Sequence, residues 1–524
     1  MQRGEGQEAG EWWGVLLAPP MAPHICLWSA RCPGGTNGDK YIKLQSEQIL
    51  ERIDKFGDKL YIEFGGKLFD DFHASRVLPG FLPDSKIKML LQLKEKAEIV
   101  IVVSGQAIEQ NKIRGDLGIS YDMDALRLMD AFTGIGLYVS GVVITKYAQQ
   151  PAADAFIKRL ENLGVNVYKH YNIPGYPTNI SKIVSEQGYG KNDYIKTTRS
   201  LVVVTAPGPG SGKMATCLSQ LYHDHKNGIK AGYAKFETFP VWNLPLRHPV
   251  NMAYEAATVD LNDVNMIDPF HLDAYGTLAV NYNRDIEIFP VVRTMFEKIY
   301  GECPYKSPTD MGVNMAGYCI YDDEAVSNAA KMEIVRRYYD ALCKQKKGLA
   351  DAEEILKAEL IMNKTGVDTS YRAVVKASLD KAAETGGPAT AIELNDGTIV
   401  TGKTSSLMGA SASALLNALK RLGGINDELL ILPQVVMEPL QSLKINNLGN
   451  RNPRLHADEI LIALAISATT NPMAAIAMEQ LPKLKGTEAH TSVIVSNVDK
   501  DVYRKLGINL TCEPEYQTKK LYHG

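Results

Sequence analysis

Residues 201–237 constrain this chain more than any other stretch. They read LVVVTAPGPGSGKMATCLSQLYHDHKNGIKAGYAKFE. The run Leu201–Thr205 predicts a buried strand, because β-branched residues without polar alternation suit a strand covered on both faces. A Pro/Gly loop follows at 207–212, and Lys213 opens a segment of helical spacing that Gly228 closes. A second strand is predicted over 229–237. Strand, glycine-rich loop, Lys, helix and strand is the layout of a phosphate-binding loop. In it, loop amides and the helix N-terminus face an anion and the Lys meets the outer phosphates. Gly208, Gly210, Ser211, Gly212 and Lys213 are the candidate binding residues.

The loop departs from G-x-x-x-x-G-K-[ST] at two places. Pro207 stands for the first Gly, and Met214 for the Ser or Thr. Three remaining glycines keep the backbone permissive, so the first change is tolerable. The second removes the hydroxyl that ordinarily ligates Mg²⁺. Thr216 lies on another helix face, and Ser211 is the substitute within reach. Phosphate binding is therefore favoured over ordinary Mg·ATP hydrolysis.

A second segment satisfies the pattern in full: Gly397-Thr-Ile-Val-Thr-Gly-Lys403-Thr404. Its middle residues read as a strand, and Asn395-Asp396-Gly397 is a hairpin turn signal. A strand cannot wrap a pyrophosphate, so the expectation here is a hairpin followed by a capped helix.

Length, at 524 residues, argues for two or three domains. A net charge of −3 without a long basic run argues against nucleic acid and anionic membranes as partners. No apolar run reaches bilayer-spanning length. The seven scattered cysteines lack metal-site spacing and read as reduced cytosolic thiols. A cytoplasmic location and a homo-oligomer are the corresponding expectations. Residues 1–39 carry three of the four tryptophans and a Pro/Gly-rich end, and read as a disordered extension.

From residue 40, strands predicted over 59–64, 98–103, 135–144 and 165–170 alternate with helices over 46–56, 85–95, 123–132 and 152–163. The alternation predicts an α/β fold, a parallel sheet with helices on both faces carrying the phosphate-loop turn. The expected organisation is an α/β phosphate-binding domain over 40–323, a helical section over 324–390 with solvated charged faces, and a smaller C-terminal α/β domain over 391–524.

Between 239 and 283 periodicity stops, and a long irregular stretch in a compact domain is a functional candidate. Lys235 and Glu237 end the preceding strand. Asp268 and His271 follow, and with these two are the catalytic candidates. Asp260 and Asp263 are candidate metal ligands, because phosphoryl transfer uses carboxylates for a metal or a proton and a cation to screen charge. Lys306, Ser307, Thr309, Asp310 and Asn314 are expected to line the same cleft.

The strings IEFGGKLFDDFHASRVLPGF (62–81), VVVTAPGPGSGKMATCLSQLYH (202–223), KFETFPVWNLPL (235–246), NDVNMIDPFH (262–271), SPTDMGVNMAG (307–317) and VTGKTSSLMGASASALLNALK (400–420) closely resemble a bacterial family known as domain of unknown function 1846. The resemblance covers about 41–517 and implies no reaction. A looser similarity in order and spacing is to ATP-dependent ligases that activate a carboxylate, the dethiobiotin and cobyrinic acid diamide synthetases. It implies a phosphate-proximal role for Lys235 and a substrate loop at Asp268–His271. The expected cofactors are ATP or another nucleotide and Mg²⁺, and the expected ligand is a small phosphorylated molecule. The functional expectation is an ATP-dependent ligase or kinase. A nucleotide or phosphometabolite sensor and a sugar-phosphate isomerase or lyase are the alternatives.

Overall fold

The computed structural model describes residues 34–517, apart from 58, 66, 67, 70, 115 and 116. The expected extension lies outside the described residues up to 33. Residues just before 40 already belong to the fold. Asn37 caps the helix Gly38–Lys55, and Thr36 bridges to Ile320.

Seven strands form the main sheet: β1 (Leu60–Phe64), β2 (Ala97–Ser104), β3 (Tyr138–Tyr147), β4 (Val167–Tyr171), β5 (Leu201–Thr205), β6 (Gly232–Phe236) and β7 (Gly312–Val313). Their order is β7-β6-β1-β5-β2-β3-β4, and every pairing is parallel. The apolar runs of β1, β2 and β5 follow from burial along their whole length. One face packs Leu60, Ile62, Ile99, Ile101 and Val203 against Tyr41, Ile49, Leu90, Leu128 and Phe156. On the other, Tyr61, Val100, Val202, Val204 and Tyr233 meet Leu218, Leu221, Phe289 and Val292. Helices thus cover both faces, as the alternating sequence predicts.

The strand order reverses direction once. From β1 the chain runs outward through β2, β3 and β4. It returns to β5, between β1 and β2, and then crosses to β6 and β7. The carboxyl ends of β1 and β5 therefore flank a topological switch point, where open α/β sheets bind ligands.

Strand β3 starts three residues later than predicted, because Gly136 adopts a left-handed turn (φ +82°) after the preceding helix. The stretch 239–283 is less irregular than its sequence suggests. It holds the helices Pro249–Ala257 and Pro269–Tyr275 and an antiparallel pair, Asn265–Ile267 with Val280–Tyr282. Elements this short carry too few turns to show a period. The next helix, Asn283–Tyr300, has Pro290 inside it.

The helix Asp323–Lys346 packs Val326, Ala330, Ile334 and Val335 into the core of the main sheet. Its charged residues do not all face solvent, contrary to expectation. Glu333 is buried against Arg76, Arg336 and Arg337, with His73 on the same carboxylate. Arg336 continues to Glu488, which also pairs with the buried Arg372. Three guanidiniums outweigh the burial of Glu333 and hold its carboxyl well below the usual range. Charge number alone does not distinguish such a network from a solvated face.

The smaller sheet contains β8 (Ala389–Glu393), β9 (Ile399–Lys403), β10 (Glu488–Thr491) and β11 (Asn509–Cys512), in the order β9-β8-β10-β11. Leu415, Leu419, Ile460 and Leu464 form its separate core. Strand β10 ends at Thr491, and Ser496 caps the helix Asn497–Lys505 that follows.

Candidate functional site

The glycine loop is pinned from both sides. Gly210 (φ +72°) and Gly212 (φ +91°) are left-handed, which explains glycine at these positions. The Ser211 hydroxyl donates to the Gly208 carbonyl at 2.8 Å. Thr145, at the end of β3, donates to the Ser211 carbonyl at 2.5 Å. A Cβ on Gly208 would lie 2.2 Å from the Tyr121 hydroxyl oxygen, so any side chain there would have to displace the Tyr121 ring. The helix Lys213–Lys226 starts directly after Gly212, which supplies no side-chain cap. Its positive N-terminal end therefore carries first-turn amides that no capping side chain has claimed.

Lys213 reaches back over the sheet. Its Nζ lies 3.7 Å from Oε1 of Glu63 on β1. Glu63 is opposite Lys235 in the β1–β6 register, and Tyr233 donates to its Oε2 at 3.0 Å. Lys235 pairs with Glu237 at 3.1 Å and with Asp285, and it also hydrogen-bonds to the Tyr282 hydroxyl. Two lysines and three carboxylates thus meet at the carboxyl ends of β1 and β6, beside the loop after β5.

This cluster is buried, and its electrostatics follow from that. Burial disfavours the Lys235 ammonium, but Asp285, Tyr282, Glu237 and Glu63 together outweigh it and hold the lysine charged. Burial pushes Glu237 up to about 7, against a smaller downward pull from Lys235. A carboxyl poised near neutrality beside a fixed ammonium can accept and return a proton at physiological pH.

On the opposite side of the loop lies a cavity of about 180 Å³. Ser104, Gln106, Lys112, Tyr121 and Lys146 line it, together with the loop residues 209–211. The loop therefore separates a charged cluster from a polar recess.

The remaining sequence candidates serve structure. Asp268 accepts from the Phe270 and His271 amides as the N-cap of its helix. Its other oxygen takes the Thr309 hydroxyl at 2.7 Å and the Thr309 amide at 3.1 Å. His271 Nδ1 lies 2.9 Å from the Ser307 hydroxyl. Asp268 is therefore saturated by its own helix and by the segment that leads into β7. Asp310 and Asn314 likewise bind neighbouring loops. Asp263 is buried against Arg284, whereas Asp260 is exposed on a single 3-10 turn. Among the described residues no group of three or more His, Cys, Asp or Glu is placed to hold a metal.

The fit to Mg²⁺ is poor on the loop side as well. Met214 packs against the apolar cluster beneath the helix, and the Ser211 hydroxyl closes the loop. Glu63, Glu237 and Asp285 are all paired with lysine. Among the described residues of this site, the loop hydroxyl and the three carboxylates are thus already engaged and do not fit a Mg²⁺ shell.

Sequence reasoning missed Glu63, Asp285 and Tyr282. Glu63 had one visible signal, a lone carboxylate in the apolar strand LYIEF. Asp285 and Tyr282 gave none, since only the hairpin before the helix Asn283–Tyr300 brings them to Lys235.

Two family models match this chain. "Domain of unknown function DUF1846, N-terminal" spans residues 34–366, and "Domain of unknown function DUF1846, C-terminal" spans 370–522. The chain belongs to the DUF1846 family. Relatives named "UPF0371 protein" from Streptococcus pneumoniae strain JJA and from the serotype 19F strain G54 are each 59% identical over 486 residues, 93% of this chain and 98% of the relative. All five members of the charged cluster and the glycine loop fall in the N-terminal DUF1846 domain. Among the described residues, no helix is long and apolar enough to cross a membrane.

Proposed function

We propose that the switch-point crevice binds a nucleotide or another phosphorylated small molecule, and that the protein is an ATP-dependent ligase or kinase acting on a small polar metabolite. The observation that carries this reading is the juxtaposition of the uncapped helix after Gly212 with Lys213, Glu63, Lys235 and Glu237. Loop amides and Lys213 would hold the phosphates, with Lys213 exchanging its 3.7 Å contact to Glu63 for the anion. Lys235 would screen the charge that develops during transfer. Glu237 would take the proton of the attacking acceptor group. The recess beside Gln106 and Tyr121 would receive the end of the ligand that is not transferred. No step is routed through Mg²⁺, since the donor set does not fit it.

A second reading is favoured by Met214 alone: a sensor that binds the ligand without turning it over. Release of ADP or phosphate on addition of small carboxylic and hydroxylated metabolites separates the two. The enzyme reading predicts turnover that is lost in Glu237→Gln while binding persists. Binding without turnover across the panel supports the sensor. A response to sugar phosphates but to no nucleotide removes the ligase and kinase reading.

A further inference from the structure

The main sheet and the small sheet are joined at a pair of cysteines. Cys343 lies near the end of the helix Asp323–Lys346, which is packed on the main sheet, and Cys512 ends β11 of the small one. The Cys343 thiol donates to the Cys512 carbonyl oxygen at 3.2 Å, which sets the two cysteines side by side. Both residues are partly exposed.

The two thiols are not equivalent. Cys512 sulfur receives the Val495 amide, and the Cys343 thiol, Lys500 and Lys347 lie nearby. These neighbours, the Cys343 thiol first, outweigh burial and favour the Cys512 thiolate. The same pairing, followed by burial, holds the proton on Cys343. Burial raises the other described thiols, Cys217, Cys303 and Cys319. Cys512 is thus the one described cysteine whose ionised form is favoured, and its neighbour is a second thiol.

We propose that Cys512 and Cys343 form a redox-modification site, an attacking and a resolving thiol that a low-molecular-weight disulfide converts into an intramolecular Cys343–Cys512 bond. The Cys512 thiolate attacks one sulfur of the small disulfide. That S–S bond breaks, a mixed disulfide forms, and one small thiolate leaves and takes up a proton. Cys343 then loses its proton and attacks the Cys512 sulfur, expelling the second small thiol. One small disulfide is reduced to two thiols, and the protein pair is oxidised by two electrons. The product ties the helix under the main sheet to the edge of the small sheet, closing a loop between positions 169 residues apart. It would restrict motion between the halves and leave the phosphate loop untouched.

The test is a peptide map of the reduced full-length protein after exposure to oxidised glutathione and rapid alkylation. The expected product is a cross-linked pair of peptides containing Cys343 and Cys512, two hydrogens lighter than the reduced pair and reversed by dithiothreitol. Cys343→Ser should trap a glutathione adduct on Cys512, and Cys512→Ser should slow the reaction at Cys343 at least about tenfold. Thermal melts of the two Ser variants report whether they fold, and the wild-type map stands without them. An adduct that persists on both cysteines without a cross-link overturns the proposal. So do bonds to any other cysteine, or a pair that stays reduced while the urea-unfolded chain reacts.

Discussion

The imperfect and the perfect phosphate-loop motifs of this chain end in opposite structures. The stretch from Pro207 to Met214 lacks two pattern residues, yet it lies at the switch point of a parallel sheet with two left-handed glycines before a helix. The stretch from Gly397 to Thr404 has every pattern residue and is a hairpin strand. Its Lys403 pairs with Ala389 across the ladder and is exposed. Gly397 is left-handed because it turns the hairpin, and Gly402 is glycine because the next helix passes over it. A Cβ there would sit 2.1 Å from the Ala414 amide nitrogen. Glycines in one motif shape a concave loop, and in the other they permit close packing. What precedes the glycines decides: a completed buried strand in the first case, a turn in the second.

The largest expected effect that would break this contrast concerns the lysines. Lys235→Ala leaves Glu237 and Asp285 buried without their cation. It should cost about 3–5 kcal/mol in denaturant unfolding. Lys403→Ala, at an exposed ladder position, should stay within about 0.5 kcal/mol. Equal losses would mean that the charged cluster is not the organised region described above.

A pH profile sharpens the same point. The Glu237 carboxyl has an ordinary value of 4.5 and is pushed up to about 7 in the folded protein. The folded state therefore binds this proton more tightly than the unfolded one. Its contribution is complete below about 4.5 and is lost as pH rises through about 7, a change of about 3 kcal/mol. Melting temperatures of Glu237→Gln should lack that part of the decline, and a variant that parallels the wild type would remove the proton-acceptor role.

Substitutions at the glycines should have smaller effects of different kinds. Gly402→Ala forces the helix Ala410–Leu422 away from β9 and should destabilise by about 1–3 kcal/mol without affecting ligand binding. Gly210 has no atom within 4 Å of an added Cβ, so Gly210→Ala meets only the left-handed penalty of about 1–2 kcal/mol. Its main consequence should be weaker phosphate binding, read by calorimetry. The reverse assignment of binding loss would exchange the roles of the two motifs.

Much of the main sheet was legible because its strands are apolar runs buried on both faces, as in LVVVT and AEIVIVVS. The loop was legible from glycine spacing after such a run. The charged cluster was only half legible. Lys235 and Glu237 follow the loop helix directly, but Glu63 is far away in sequence and becomes their neighbour only through strand order. Asp268 misled in the other direction. Asp-Pro before a helix is the signature of an N-cap with Pro at the first position, and the structure uses it that way. Short elements in 239–283 and the buried Glu333 network lacked any local signal, since both depend on contacts between distant segments.

The most direct test of the central claim is isothermal titration of ATP and of inorganic phosphate into the wild type, Lys213→Ala and Lys403→Ala. Loss of a charge-assisted contact worth about 1.5–3 kcal/mol predicts a roughly 10- to 150-fold weaker affinity for Lys213→Ala. Lys403→Ala should bind as the wild type does. Wild-type protein that binds neither ligand, or a Lys213→Ala variant that binds both unchanged, would contradict the assignment of the glycine loop as a phosphate site.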